Sequence, residues 1–311
     1  MDLFDIVISG KIRKEGGGDV SVDALNVTEN GVYTAEEGHA YSPVTVAVPQ
    51  PSGTLSITSN GVYDVGSFAS ADVNVSGGGG DVEDEIITRQ LSGIYSNSRV
   101  SEVGMFAFYA CNNVSEFYFD NATAFSASAF ANCEGMTKIS APNLTNAVGA
   151  LFYQCTKLKS VDFPLLARLS ASAFYGCVAL SYANLPELTY VGSQAFSNCQ
   201  SLATINCPKV HGMGNSAFNG CYALTQISLP QISSIPQSAF YSCKSLMSIY
   251  LLSSQRVALG NVNALSVTPM SNSTYTGSFG SIYVPASLVS DYKAAANWST
   301  YSDRITSYVE G

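Results

Sequence analysis

The chain has 311 residues, and 14 Lys and Arg against 23 Asp and Glu give a formal net charge of −9. Charged residues make up only 12% of it, about half the usual globular share. That acidic balance excludes a basic nucleic-acid surface, and no apolar run nears the ~20 residues of a membrane span. Two histidines, His39 and His211, leave little for acid–base or metal chemistry. The composition describes a scaffold or binder, without enzymatic activity, metal or cofactor.

Residues 1–20 begin Met1-Asp2-Leu3-Phe4-Asp5, and Lys11, Arg13 and Lys14 follow a short apolar stretch. A secretory signal has the opposite order, basic first and then a longer apolar run. This segment therefore reads as an attachment segment ending in a Gly16-Gly17-Gly18 linker, on a protein made in the bacterial cytoplasm. Next come two small β-modules, 21–49 and 50–76. Leu25-Asn26-Val27-Thr28-Glu29-Asn30-Gly31-Val32-Tyr33 recurs thirty residues on as Leu55-Ser56-Ile57-Thr58-Ser59-Asn60-Gly61-Val62-Tyr63. Asn-Gly between alternating apolar residues is a hairpin signal, and Val44–Val48 and Val73–Val75 read as closing strands. Each module is too small to hold a core alone, so pairing in a homo-oligomer is expected. The modules resemble the T-x-N-G-x-Y β-repeats of tail-associated proteins in phages and prophages of Firmicutes. That resemblance implies attachment to other virion proteins through this region.

Gly77–Gly80 reads as a second linker. Residues 81–103 read as a solenoid N-cap, with a helix over Asp81–Leu91 that has Asp81 as N-cap and acids in its first turn. From 104 to 251 the chain repeats every 22 residues. Cys111, Cys133, Cys155, Cys177, Cys199, Cys221 and Cys243 keep this step, and a Phe stands three residues before each, from Phe108 to Phe240. Val114, Met136 and five leucines follow each Cys by three, and a strand-like apolar-x-apolar pair comes next. Pro142, Pro164, Pro186, Pro208 and Pro230 close five of these strands.

A 20–29-residue period with this pattern is the leucine-rich-repeat signature. Each unit makes one coil, with a strand, a Pro turn and an Ala-Phe-x-x-Cys return. Stacking coils at ~4.8 Å puts Phe on Phe and Cys on Cys in a ladder of roughly 30 Å. The cysteines then point in parallel rather than converging as a disulfide requires, and no C-x₂₋₄-C pair suggests zinc. They read as buried thiols able to donate to a turn carbonyl. Cys207 merely fills a strand slot. Units such as Ser172-Ala173-Phe174-Tyr175-Gly176-Cys177 and Asn215-Ser216-Ala217-Phe218-Asn219-Gly220-Cys221 resemble the BspA-type (Treponema-like) leucine-rich repeat. That family occurs in bacterial surface proteins and in phage or prophage proteins. The resemblance implies a ligand- or receptor-binding solenoid without enzymatic activity.

Residues 252–311 read as a degenerate coil and C-terminal cap. Ser281-Ile282-Tyr283-Val284-Pro285 is a last strand, and a helix runs from about Ser287 to Ala296. Leu288, Tyr292 and Trp298 are positioned to cover the terminal rung.

The fold class is thus a mostly β repeat solenoid with capping helices, preceded by two β-modules. Two rows are candidate binding surfaces. Along the strands, the side chains between core positions include Glu116, Tyr118, Lys138, Asp162, Tyr182, Asn184, Asn206, Gln226 and Tyr250. On the return, a stripe of Tyr109, Tyr153, Tyr175 and Tyr241 follows the core Phe. Tyr adds contact area at low entropy cost, although such rings can also simply cover the turn. The expected function is a phage virion protein, tail-associated or receptor-binding, whose solenoid meets a protein or glycan on the host surface. The alternative is a bacterial cell-surface adhesin.

Overall fold

A computed structural model describes residues 93–96, 100–271 and 278–309, together with the backbone of eight short strands before residue 75. The helix expected over Asp81–Leu91 and the glycine segments 16–18 and 77–80 lie outside the described residues. Ahead of the solenoid, Asp19–Val22, Gly10–Lys14, Gly31–Glu36 and Val44–Val46 form an antiparallel sheet in that order. This sheet joins a strand of the first twenty residues to the first β-module. Leu25–Asn26 pairs with Asp5–Ile6, and the turn expected at Asn30 lies outside the described residues. Both edges of Gly31–Glu36 are already taken, by Gly10–Lys14 and Val44–Val46. In the second module Leu55–Ser56 pairs in parallel with Val73–Asn74.

From Gly93 onward the chain is a solenoid with 22-residue coils, and each coil contributes to two parallel ladders. The first runs from Gly93–Ser96 through Val114–Tyr118 and Lys138–Ser140 to Ser248–Tyr250 and Ser281–Val284. The second was not foreseen in the sequence. Its two-residue strands run from Glu102–Val103 to Ala258–Leu259. Its signal was present as a further apolar series one period apart, Val103, Phe125, Ala147, Leu169, Val191, Met213 and Ile235, all buried. Between the ladders each proline takes the second position of a four-residue turn, where its fixed φ fits. Leu144, for example, donates its N–H to the Ala141 carbonyl at 3.1 Å.

The interior consists of columns of like residues. The rings of Phe108, Phe130, Phe152, Phe174, Phe196, Phe218 and Phe240 stack at steps of 5.1–5.5 Å, close to parallel. None of the eight cysteines is in a disulfide, and all are buried. From Cys133 to Cys243 each ladder thiol donates to the carbonyl of the Phe twenty-five residues earlier, at 2.8–3.1 Å. The return is held in a left-handed backbone conformation just before each cysteine, at Ala110, Asn132, Gln154, Gly176, Asn198, Gly220 and Ser242. Asn and Gly suit that conformation. The less suited residues are held there by the next coil, as Gln154 shows by donating its N–H to the Tyr175 carbonyl at 2.7 Å.

The C-terminal end abandons the repeat. Ala258–Leu259 still pairs with Ser234–Ile235, and Ala264 still accepts from the Phe240 N–H at 2.9 Å, so Leu265 takes the slot of a core Phe. The expected helix is a 3₁₀ turn, Ala286–Leu288, followed by α1, Val289–Ala294. Ser281–Val284 is not the last strand, because Ile305–Ser307 adds one more parallel rung. With a single apolar residue, that run carries no alternation to read. Tyr292 and Trp298 are fully buried over the last rung of the second ladder, while Leu288 packs against the core partly buried.

Candidate functional site

Polar side chains in this chain fall into two groups. Many are occupied by the coil-to-coil framework. Ser115, Thr137 and Ser181 each donate a hydroxyl to a carbonyl one coil earlier, at 3.0–3.1 Å. Thr123, Thr145, Thr189 and Ser233 do the same at 2.8–3.3 Å. These hydroxyls are part of the scaffold. His211 belongs to this framework through its carbonyl, which accepts from Ser233.

The face of the first ladder is different. Parallel register aligns Glu116 with Lys138, Tyr182 with Thr204, and Asp162, Asn184 and Asn206 in one row. Lys138, Asp162, Tyr182, Asn206 and Gln226 are exposed, and Glu116, Tyr118, Asn184 and Tyr250 half-buried. Three clusters result. At the first, the Tyr118 hydroxyl donates to the Glu116 carboxylate and accepts from Lys138 Nζ at 3.0 Å, with the ammonium 4.9 Å from the Tyr118 ring centroid. The hydrogen bond to Tyr118 holds the Lys138 ammonium above its usual pKa. At the middle, Asn206 Nδ2 donates to Asn184 Oδ1 at 2.7 Å, and Asn184 Nδ2 donates to Asp162 Oδ1 at 2.8 Å. At the far end Tyr250 stacks on Tyr283 at 4.8 Å, and Tyr308 meets Tyr250 edge-on. Sequence reasoning missed Tyr283 and Tyr308 as part of this face. Tyr283 stands in an Ile-Tyr-Val strand in the same slot as Tyr250, which was a usable signal.

The return stripe is less continuous. Tyr109 accepts from Asn132 Nδ2 at 2.7 Å, and Tyr153 stacks on Tyr175 at 5.1 Å. Ser197 is buried at the next position and separates these rings from the exposed Tyr241. The thiols form no reactive surface. Burial pushes Cys111 and Cys207 up to about 12 and raises Cys133, Cys155, Cys199 and Cys221 as well. Among the described residues no group of three or more His, Cys, Asp or Glu is placed to hold a metal ion. No helix among them is long and apolar enough to cross a membrane.

The BspA type leucine rich repeat region matches this chain in six copies over residues 88–187 and 167–286. The chain belongs to the BspA-type leucine-rich-repeat family. That match begins after the N-terminal β-repeats, so their resemblance to tail proteins gains no support from it. No curated protein sequence matches the chain. Solved structures with some similarity include a T. pallidum leucine rich repeat protein, 21% identical over 54% of this chain and 72% of that one, with a TM-score of 0.40. A leucine rich cell surface protein from Faecalibacterium prausnitzii A2-165 is 17% identical over 89% and 95%, with a TM-score of 0.34. The pneumococcal vaccine antigen PcpA is 11% identical over 70% and 79%, with a TM-score of 0.33. At such TM-scores these likenesses add nothing to the argument.

Proposed function

We propose that this BspA-type chain is a non-enzymatic recognition protein, an adhesin-type solenoid whose first-ladder face binds a protein or glycan at a cell surface. The observation that carries the reading is the division of polar side chains. The Ser, Thr and Cys donors of the framework are tied to carbonyls one coil away, whereas the strand face keeps Lys138, Asp162, Tyr182, Asn206 and Gln226 in solvent. A rigid sheet face carrying Tyr and amide side chains offers contact area without much ordering cost on binding. The reading needs no cofactor, and it places assembly into a homo-oligomer with the N-terminal strands. It is preferred over the tail-protein reading because that one rests on the N-terminal repeats alone.

The test is binding of the full chain to intact bacterial and epithelial cells, measured by flow cytometry. Lys138→Glu with Gln226→Lys should reduce binding at least tenfold, whereas Tyr241→Ser on the return should leave it unchanged. Equal loss in both variants, or in neither, would remove the strand face from the function.

A further inference from the structure

We propose that the middle of the strand face, around Tyr182, Asp162, Asn184 and Asn206, is a subsite for an uncharged polysaccharide. The proposal rests on the recognition reading above and names its ligand class. Three features carry it. The first is the amide relay from Asn206 through Asn184 to Asp162, which fixes each side-chain plane. One further N–H on each Asn, the Asn206 Oδ1 and the second Asp162 oxygen have no partner among the described residues. Donors and acceptors are therefore both presented along one row at the rung spacing of ~4.8 Å. A sugar hydroxyl donates and accepts at once, so a polyhydroxylated chain can satisfy both kinds of group.

The second feature is Tyr182, 43% exposed. It lies two residues before Asn184 on the same strand, hence on the same face and ~6.6 Å along it. A pyranose can lay its C–H face on that ring while its hydroxyls meet the amides. The third feature is charge. Asp162 is the one carboxylate in the relay, and Glu116 and Lys138 are joined through Tyr118 on the two preceding rungs. Such a face attracts neither a polyanion nor a polycation.

The experiment uses the full chain with immobilised mannan, galactan and β-glucan as probes and heparin as the anionic control. Intact cells are probed in parallel after periodate, which destroys vicinal diols, or after protease. The expected result is binding to at least one neutral polysaccharide but not heparin, and loss of cell binding after periodate. Tyr182→Ala and Asn206→Ala should each weaken binding at least tenfold, and Tyr182→Phe should restore it. Thermal melting checks that the variants fold, with Asn206→Ser as a gentler second change. Cell binding that survives periodate but not protease would overturn the glycan assignment and leave recognition standing with a protein ligand. Absence of binding to every surface would overturn both readings. Polysaccharide binding untouched by both substitutions would overturn this site.

Discussion

The regular coils and the C-terminal cap solve the same problem in opposite ways. A coil in the middle of the stack satisfies its backbone by translation, since each Phe N–H finds the carbonyl of the next coil's Ala or Leu151 at 2.7–3.1 Å, and each ring lies on its own copy. The last coil has no copy to lean on, and side chains outside the 22-residue register take over. Tyr292 donates its place to no ring column but accepts the Val257 N–H at 2.8 Å, and Trp298 Nε1 donates to the Val257 carbonyl at 2.7 Å. Asn297 donates to the Leu259 carbonyl at 2.7 Å, and Tyr301 donates to that of Val262. Repetition satisfies an interior cheaply in sequence terms, whereas an end needs specific side chains for specific orphaned groups.

The largest effect that would separate the two regions is alkaline unfolding. Cys111 and Cys207 rise through burial from the ordinary 9.0 to about 12, and both lie in the regular coils. A raised thiol contributes stability fully below pH 9 and loses it progressively as pH climbs toward 12. Each such thiol removes up to about 1.4 kcal/mol per pH unit, so these two alone remove up to about 3 kcal/mol per unit. Far-UV circular dichroism should report collapse of the coils between pH 9 and 12. The cap holds raised groups as well, Tyr292 and Tyr301, but a phenol's ordinary value of 10.0 lies above the thiols' 9.0. The chain's single Trp, Trp298, should therefore change its fluorescence with that collapse or after it. A Trp change that comes first would make the cap the weaker region and break the contrast.

Next in size are the large truncations. Trp298→Ala removes a buried ring and leaves the Val257 carbonyl without its donor, and should cost about 4–5 kcal/mol. Phe174→Ala opens a gap in the stacked column and should cost about 3–5 kcal/mol. Urea denaturation would measure both. A markedly smaller loss for Trp298 would mean that the terminal rung tolerates water. Gly135→Ala is a milder and purely local probe. A Cβ there would lie 1.8 Å from the Asn112 carbonyl oxygen, so the coils must part, at about 1–3 kcal/mol. Other coils carry Lys157 or Ala179 at this slot, so Lys157→Ala should cost almost nothing. Smallest is Thr189→Val, which removes one hydroxyl bond to the Ala167 carbonyl and should cost about 0.5–1.5 kcal/mol.

Much of the interior was legible because its information is one residue type per slot. Phe174 and Cys177 announce their neighbours by recurring in register, and parallel stacking fixes which residues touch. The strand-face residues were legible as positions for the same reason. Their grouping was not, because the relay through Asp162, Asn184 and Asn206 depends on which amide turns toward which neighbour. The second ladder escaped notice because its strands are two residues long, too short to show alternation. The final rung escaped because Ile305–Ser307 pairs through its backbone, to which its sequence gives no clue.

The 22-residue register also makes the gene's middle a set of interchangeable modules. A crossover between equivalent points of two coils, such as after Cys155 and after Cys177, removes or adds one whole unit. Every junction residue then meets a partner of the kind it had before, ring on ring and thiol under carbonyl. Length can therefore drift by recombination while both ends stay unchanged. What does not survive such an event is the order of the outward row, since Asp162, Asn184 and Asn206 each belong to a different unit. In this architecture the scaffold is indifferent to unequal exchange, and only the face presented to solvent is altered by it.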